Sequence, residues 1–251
     1  MSILRWPTDV MKERVLAIRG EERFEEAEVT VDYPMRAIGY WWAYCAIMDE
    51  LREECPPLTV VDAGCGPGIV RRFVGGDTQE MKWIGLDWRA DEEQLVERGY
   101  DQVHVCDLDE TLPLDDASAD VVTFMHVIEH LPRMSFTLSE LARILRPGGV
   151  LVAGSPSSPR SIAWMRDLKY RHSLRAGTRK EGHHINALSP GLWRELLDDA
   201  GLRVEKLSGT HLLRWSKSPL ENYAWWLRAN LLWGALFPSL SLEVYVVARK
   251  C

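Results

Sequence analysis

Val60-Val61-Asp62-Ala63-Gly64-Cys65-Gly66-Pro67-Gly68 sets the architecture of this 251-residue chain. Leu58 to Val61 is a short apolar, β-branched run, the pattern of a strand buried on both faces of a parallel sheet. An acid and three glycines follow, and then the helical pattern Ile69-Val70-Arg71-Arg72-Phe73-Val74. Strand, glycine turn and helix start together let a cofactor lie against bare backbone. A dinucleotide fingerprint needs a third glycine where Ile69 stands, and Asp62 directly beneath the turn would repel a pyrophosphate. A carboxylate there suits a cationic group, such as the ammonium of an amino acid. The absence of a G-K-[ST] ending excludes a phosphate-cradling P-loop.

The segments downstream repeat the same theme. Lys82-Trp83-Ile84-Gly85-Leu86-Asp87 reads as a second strand, and Val103-His104-Val105-Cys106-Asp107-Leu108 as a third, each ending in an acid. Asp62, Asp87 and Asp107 therefore fall on one carboxyl edge, where open α/β sheets bind ligands. Asp87 has the alternative reading of a helix N-cap ahead of Arg89 to Arg98. A fourth strand is expected over Val121 to Met125, and a helix before Pro147-Gly148-Gly149 turns into a fifth, Val150 to Ala153. Ser189-Pro190 opens a helix that Gly201 stops, Arg203 to Leu207 is a sixth strand, and Leu242 to Ala248 is the last.

Asp62 to Gly68 resembles motif I of the class I S-adenosylmethionine (SAM) methyltransferases. Glu129-His130, with Glu140…Arg143-Ile144-Leu145-Arg146-Pro147-Gly148-Gly149, resembles the branch containing ubiquinone and menaquinone biosynthesis enzymes and many glycan and natural-product enzymes. The resemblance covers about Val60 to Val152 and extends more loosely to Leu207. It implies an α/β, Rossmann-like, mostly parallel seven-stranded sheet of order 3-2-1-4-5-7-6, with strand 7 antiparallel and helices on both faces. It also implies SAM as cofactor and S-adenosylhomocysteine as product. The implied cofactor contacts are Asp62, Gly64, Cys65, Gly66, Gly68, Asp87, Trp88, Asp107, Leu108, Met125 and His126. Asp87 would take the ribose hydroxyls, Trp88 would stack on adenine, and Asp107 with the next backbone N–H would meet the adenine edge.

A hydroxyl acceptor needs a base to remove its proton. His126, at the end of the fourth strand, is placed for this, as are His183 and His184; His126 has the alternative role of a cofactor-pocket wall. His126, Glu129 and His130 stand at i, i+3 and i+4, so a helical turn would put them on one face. With His184 they would offer nitrogen and oxygen ligands to one divalent ion. The arrangement resembles the Glu-x-x-Glu-His…His site of small-RNA 2′-O-methyltransferases, but His126 replaces its first Glu, which weighs against Mg²⁺.

A hydrophobic fraction of 46% and a charged fraction of 27% fit one soluble domain. The net charge of −7 argues against a general nucleic-acid binder. Five scattered cysteines lack metal or disulfide spacing and read as reduced thiols in a cytoplasmic protein, and Met1 to Gly20 lacks the apolar core of a signal peptide. The expected divisions are an N-terminal helical lid (1–57), a SAM-binding core (58–154), a basic insertion (155–188) and a Trp-rich helical insertion (209–240). Within the first, Pro7–Arg19 reads as a helix, Glu21–Glu28 as an acidic linker, and Pro34–Glu54 as a helix packed on the sheet edge or an aromatic lid. The basic insertion carries Arg160, Arg166, Lys169, Arg171, Arg175, Arg179 and Lys180, either as a solvated face or to meet an anionic substrate.

Tryptophan is abundant, at 11 residues. Over Leu220 to Phe237, the stripe Leu220, Tyr223, Ala224, Leu227, Leu231 and Ala235 reads as core, while Trp225, Leu232, Trp233 and Leu236 fall off it. Such a helix calls for a second partner: a homodimer, a lipid-like substrate or peripheral membrane contact. The acceptor expected is a small molecule, a glycan or a lipid-linked group. A non-catalytic SAM-binding scaffold is the alternative.

Overall fold

The computed structural model describes residues 37–53, 57–75, 81–175, 183–212, 220 and 224–251. The helix expected over Pro7–Arg19 and the linker Glu21–Glu28 lie outside these residues, as do Arg179, Lys180 and Tyr223. The described residues begin with α1 (Ala37–Glu53) and then run β1 (Leu58–Ala63), α2 (Ile69–Val74), β2 (Met81–Asp87), α3 (Glu92–Glu97) and β3 (Gln102–Val105). They continue through β4 (Ala119–Met125), a 3₁₀ turn (Ile128–His130), α4 (Met134–Ile144), β5 (Leu145–Pro156) and α5 (Arg160–Arg175). The last elements are α6 (Pro190–Asp199), β6 (Leu202–Thr210), α7 (Ala224–Leu236), a second 3₁₀ turn (Pro238–Leu240) and β7 (Glu243–Lys250).

The strands form one seven-stranded sheet in the order β3-β2-β1-β4-β5-β7-β6, the expected order. β1 pairs parallel with β2 and β4, and β7 runs antiparallel to both β5 and β6. Alternate strand residues supply two separate cores. Val60, Trp83, Val121 and Val152 face one side with α1, α2 and α3, while Val61, Ile84, Val122 and Leu151 face the other with α4 and α6. This period-two division between two covered faces is why the parallel strands read as continuous apolar runs.

α1 packs across β4, β5 and β7 through Ile38, Trp41 and Ile47, so it covers the middle of the sheet rather than its edge. β5 is longer than expected because its ladder with β7 continues to Pro156, opposite Glu243. The carboxylate of Asp91 caps α3 by accepting from the Gln94 amide at 3.0 Å, so the N-cap alternative for Asp87 falls to Asp91. Ser189 caps α6 with Pro190 in its first turn, as expected.

The Glu140…Arg143 signature ties α4 to the loop before β4. Arg143 donates to Glu140 at 2.9 Å, to the carbonyls of Leu112 and Leu114, and to Asp116. Glu140 in turn accepts from the Leu112 amide at 2.9 Å, so the buried Leu112 has both its backbone groups paired.

Residues Arg160–Arg175 of the basic insertion fold as α5, and of this helix only Ala163 and Tyr170 are buried. α7 rides directly on β6: a Cβ on Gly234 would lie 1.7 Å from the Gly209 carbonyl oxygen. Leu231 is buried there, and Trp225, Leu232 and Leu236 face outward. Among the described residues no helix is long and apolar enough to cross a membrane.

Candidate active site

β1 delivers Asp62 and Gly64 to the carboxyl edge of the sheet. The amides of Gly64 and Cys65 both donate to the Leu86 carbonyl, at 2.7 and 3.1 Å, which folds the turn against β2. Gly64 has φ 75°, and a Cβ there would lie 2.3 Å from Val127 Cγ2, so only glycine fits. Gly66 differs: its amide donates to Asp87 Oδ2 at 2.9 Å, and a Cβ would meet nothing within 4 Å. That open backbone borders the cavity described below.

Asp62 is 2% exposed and accepts from the Tyr100 hydroxyl at 2.6 Å and from Thr123 Oγ1 at 2.7 Å. Burial pushes its pKa up to about 6; the two hydrogen bonds oppose the rise and the charge of Asp87 adds to it. Burial also pushes the Cys65 thiol up, helped by Asp62 and Asp87, so Cys65 is a wall of the site and not a nucleophile.

Two cavities meet at this edge. One, of about 370 Å³, is lined by Tyr40, Asp62, Gly64, Cys65, Gly66, Met125, His126, Glu129, His130, Pro156, His184 and Glu243. The other, of about 490 Å³, is lined by Gly64, Asp87, Trp88, Asp107, Leu108, Met125, His126 and His130. Gly64, Met125, His126 and His130 border both, making a two-lobed site. Each lobe falls in the size range of small-molecule pockets. Gly68, the remaining glycine of the turn, caps α2 from behind.

The second lobe gathers the acids at the strand ends. Asp87 accepts from the Gly66 and Arg89 amides, both at 2.9 Å, so it braces the glycine turn as well as lining the lobe. Asp107 is exposed and accepts from the Asp109 amide, while Leu108 is buried beside it. Trp88 is half exposed, and the Arg89 guanidinium already lies 4.0 Å from its ring centroid, leaving one face for a stacking partner.

His126 ends β4 at φ 57°, a conformation that costs energy for a non-glycine residue. Its amide is anchored to the Gly154 carbonyl at 2.8 Å. Its Nε2 lies 3.4 Å from the Tyr245 hydroxyl, which donates to the buried Glu243 carboxylate at 2.7 Å. Since the carboxylate takes the phenol's hydrogen, the phenol oxygen can accept from Nε2–H in the His126 tautomer protonated at Nε2. Gly154 makes room for the Tyr245 ring, since a Cβ there would sit 2.2 Å from Cδ1. Trp42 stacks beyond that ring at 6.3 Å.

Glu129, His130 and His184 each bring one ligand atom within 4.8 Å of the others. The loop bearing His184 is stapled to the 3₁₀ turn. The Ile185 and Asn186 amides donate to the Glu129 carbonyl at 2.8 and 3.1 Å, and Asn186 Nδ2 donates to the Leu131 carbonyl at 2.7 Å. Glu129 Oε2 and His130 Nδ1 are buried without a hydrogen-bond partner. Burial lowers the pKa of His184, which favours the neutral, ligating form. Two imidazoles and a carboxylate fit a borderline divalent cation such as Zn²⁺ better than Mg²⁺.

His126 does not belong to that set, contrary to the i, i+3, i+4 expectation. Residues 128–130 make one 3₁₀ turn, and the positive φ of His126 takes it off any shared helical face. Its Nδ1 instead stands 3.8 Å from Glu129 Oε1. His183 is exposed and borders neither lobe. Tyr40, from the helix read as packed on the sheet edge or as an aromatic lid, lines the Asp62 lobe. Tyr100, Thr123, Glu243 and Tyr245 were not expected at the site, and of these Glu243 and Tyr245 carried a signal, as polar groups two apart and so on one face of the last strand. A further cavity of about 420 Å³, between α1 and β6–β7, is lined by Trp41, Trp42, Leu207 and Leu231 and holds none of the strand-end acids.

The family model described as a methyltransferase domain matches residues 41–207. A Mycolicibacterium smegmatis protein named as an S-adenosylmethionine-dependent methyltransferase is 32% identical over 173 residues, 68% of this chain and 62% of that protein. The ubiquinone biosynthesis O-methyltransferase of Aeromonas salmonicida is 28% identical over 171 residues, 65% of this chain and 68% of that enzyme. A structure from Galdieria sulphuraria, described as a sarcosine dimethylglycine methyltransferase, superposes with a TM-score of 0.61 at 18% identity. It covers 96% of this chain and 98% of that one, and at this identity the likeness speaks for the fold. Across these curated relatives the chain spans about half to two thirds of their length.

Proposed function

The chain belongs to the methyltransferase-domain family, and on that premise we propose that it is a SAM-dependent methyltransferase acting on a hydroxyl. The observation that carries the reading is the two-lobed site at the sheet edge, with Asp62 in one lobe and Asp87 and Asp107 in the other. SAM supplies a methyl group on a positively charged sulfur. Asp62 would hold the amino-acid ammonium, the open Gly66 backbone would let the ligand lie close, and Asp87 would take the ribose hydroxyls. Asp107 and the Leu108 amide would take the adenine edge. Gly64, Cys65, Gly68 and Met125 would shape the walls, with Trp88 offering its uncovered face to the base.

His126 is the proposed general base. It borders both lobes, so it stands where a bound acceptor and the cofactor would meet. Tyr245 and Glu243 would hold its ring, leaving Nδ1 to accept the hydroxyl proton. His184 is a second candidate for the same work, or with Glu129 and His130 it would hold a divalent cation. The acceptor is proposed as a small-molecule, glycan or lipid-linked hydroxyl. The ubiquinone O-methyltransferase relative supports oxygen over nitrogen or carbon.

The test is a thermal-shift titration with SAM and S-adenosylhomocysteine. Ligand at about 100 times its Kd should stabilise the folded protein by ~2.7 kcal/mol. Asp87→Ala should remove most of that gain while the circular dichroism spectrum persists. A flat response to both nucleosides would remove the reading. Binding without methyl transfer to any hydroxyl panel would favour the non-catalytic scaffold.

A further inference from the structure

α5 carries an exposed surface that the site does not use. Ile162, Trp164, Met165 and Leu168 are 44%, 65%, 56% and 48% exposed. Ile162, Met165 and Leu168 recur every third residue and Trp164 stands four before Leu168, so the four lie on the outward half of the helix, away from the buried Ala163 and Tyr170. Lys169, four after Met165, and Arg171 and Arg175, three and seven after Leu168, are interleaved with them on the same half and are exposed as well. Only Asp167 opposes them from within the helix, pairing with Arg171 at 2.7 Å. A helix of 16 residues that buries only Ala163 and Tyr170 gains little from packing inside this chain. Its outward face is therefore the part still needing a partner.

We propose that this face of α5 docks on an anionic membrane surface. The two halves of the face together select the occupant. Four large apolar side chains, with a tryptophan among them, suit the boundary between headgroups and acyl chains. Cations beside them suit a negatively charged leaflet, and they stand out on a chain whose net charge is −7. A nucleic acid would use the cations and leave the apolar stripe in water. A protein partner would have to match both halves with an acidic rim around an apolar groove, whereas an anionic lipid surface supplies both at once. α7 also exposes Trp225, Leu232 and Leu236, but its only cation is Arg228, so it lacks the charge half of the pattern.

The position of α5 links this surface to the site. β5 ends at Pro156, which lines the lobe holding Asp62, and α5 begins at Arg160. The Ser157 amide donates to the Leu242 carbonyl at 2.8 Å, so the exposed Leu240 and Leu242 stand beside the start of the helix. Docking would thus bring the lobe toward the lipid surface, and the acceptor class this selects is a lipid-linked hydroxyl. That last step rests on the methyltransferase reading; the docking itself does not.

The test is co-sedimentation of the full chain with vesicles of phosphatidylcholine alone and of phosphatidylcholine with about 30 mol% phosphatidylglycerol. The parent should partition at least about tenfold more onto the anionic vesicles, and added salt should reverse much of the gain. Trp164→Glu with Leu168→Glu should abolish binding, Lys169→Glu with Arg175→Glu should remove the preference for anionic lipid, and Trp225→Ala should leave both unchanged. Equal partition onto neutral vesicles, or none onto either, overturns the proposal. So does persistent binding by the Trp164/Leu168 variant, or loss of binding in Trp225→Ala alone. A parent dimer that this variant converts to monomer, without vesicle binding by the parent, assigns the face to self-association instead. The cofactor thermal shift of each variant serves as the folding check; if the Trp164/Leu168 variant fails it, the exposed Lys169/Arg175 variant decides. A failed vesicle experiment leaves the cofactor shift standing, so the two readings fail separately.

Discussion

Asp62 is the residue where burial and chemistry meet most directly. Its carboxyl has a pKa of about 6 against an ordinary value of 3.8, so below pH about 6 the cofactor-free protein holds it protonated. A cationic ammonium pairs with the ionised form only. Affinity for S-adenosylhomocysteine should therefore be full above pH about 6 and fall by up to about tenfold per unit below it. Calorimetric titrations between about pH 5 and pH 8 would read this, and a Kd that stays flat across the range would refute the pairing. Without ligand the sign is opposite. The unfolded chain loses this proton near its ordinary value and the folded chain keeps it to about 6, so Asp62 lowers stability as pH rises across that window.

At the scale of the elements, the Glu140–Arg143 pair shows how a signature in the sequence can be structural. Arg143 pins the Leu112–Asp116 loop to α4, and its neighbourhood holds the Glu140 carboxyl below its ordinary value. Arg143→Met leaves a buried carboxylate unpaired. Breaking such a pair costs several kcal/mol when fully buried, and with Arg143 26% exposed the loss should be about 2–3 kcal/mol in urea unfolding. Glu140 is depressed, so its contribution is present above its unfolded value near 4.5 and lost as pH falls through its folded value. The variant should therefore show a flatter acid limb as well as a lower plateau. An unchanged urea midpoint would show that water replaces the guanidinium without cost. The signature was legible because the i, i+3 spacing is local, while the loop it anchors was not, since Leu112 and Leu114 lie well before it in the chain.

At the scale of the whole molecule, residues far apart in sequence make the lobe that holds Asp62. Glu129 and His130 follow β4, and His184 returns from beyond α5 on a loop held by Asn186. The full chain should bind about one equivalent of Co²⁺ with visible d–d absorption, and His184→Ala should abolish it without removing the cofactor thermal shift. An absence of Co²⁺ absorption in the parent would retire the metal reading and leave His184 as a possible base only. Tyr245 and Glu243 reach His126 in the same long-range way, from the last strand to the fourth.

The sequence by itself determined the sheet, its order through family resemblance, and the cofactor edge. The strands and the edge rest on local patterns, a β-branched run, a glycine turn and an acid at a strand end within a few residues of one another, and the order rests on the resemblance those motifs carry. The tertiary structure alone decided what surrounds them. It took His126 out of the metal set by a positive φ, moved α1 from the edge to the middle of the sheet, and turned a basic insertion into a helix with an exposed apolar face. These outcomes depend on contacts between segments distant in the chain and on backbone angles that residue type does not specify, so no local pattern could carry them.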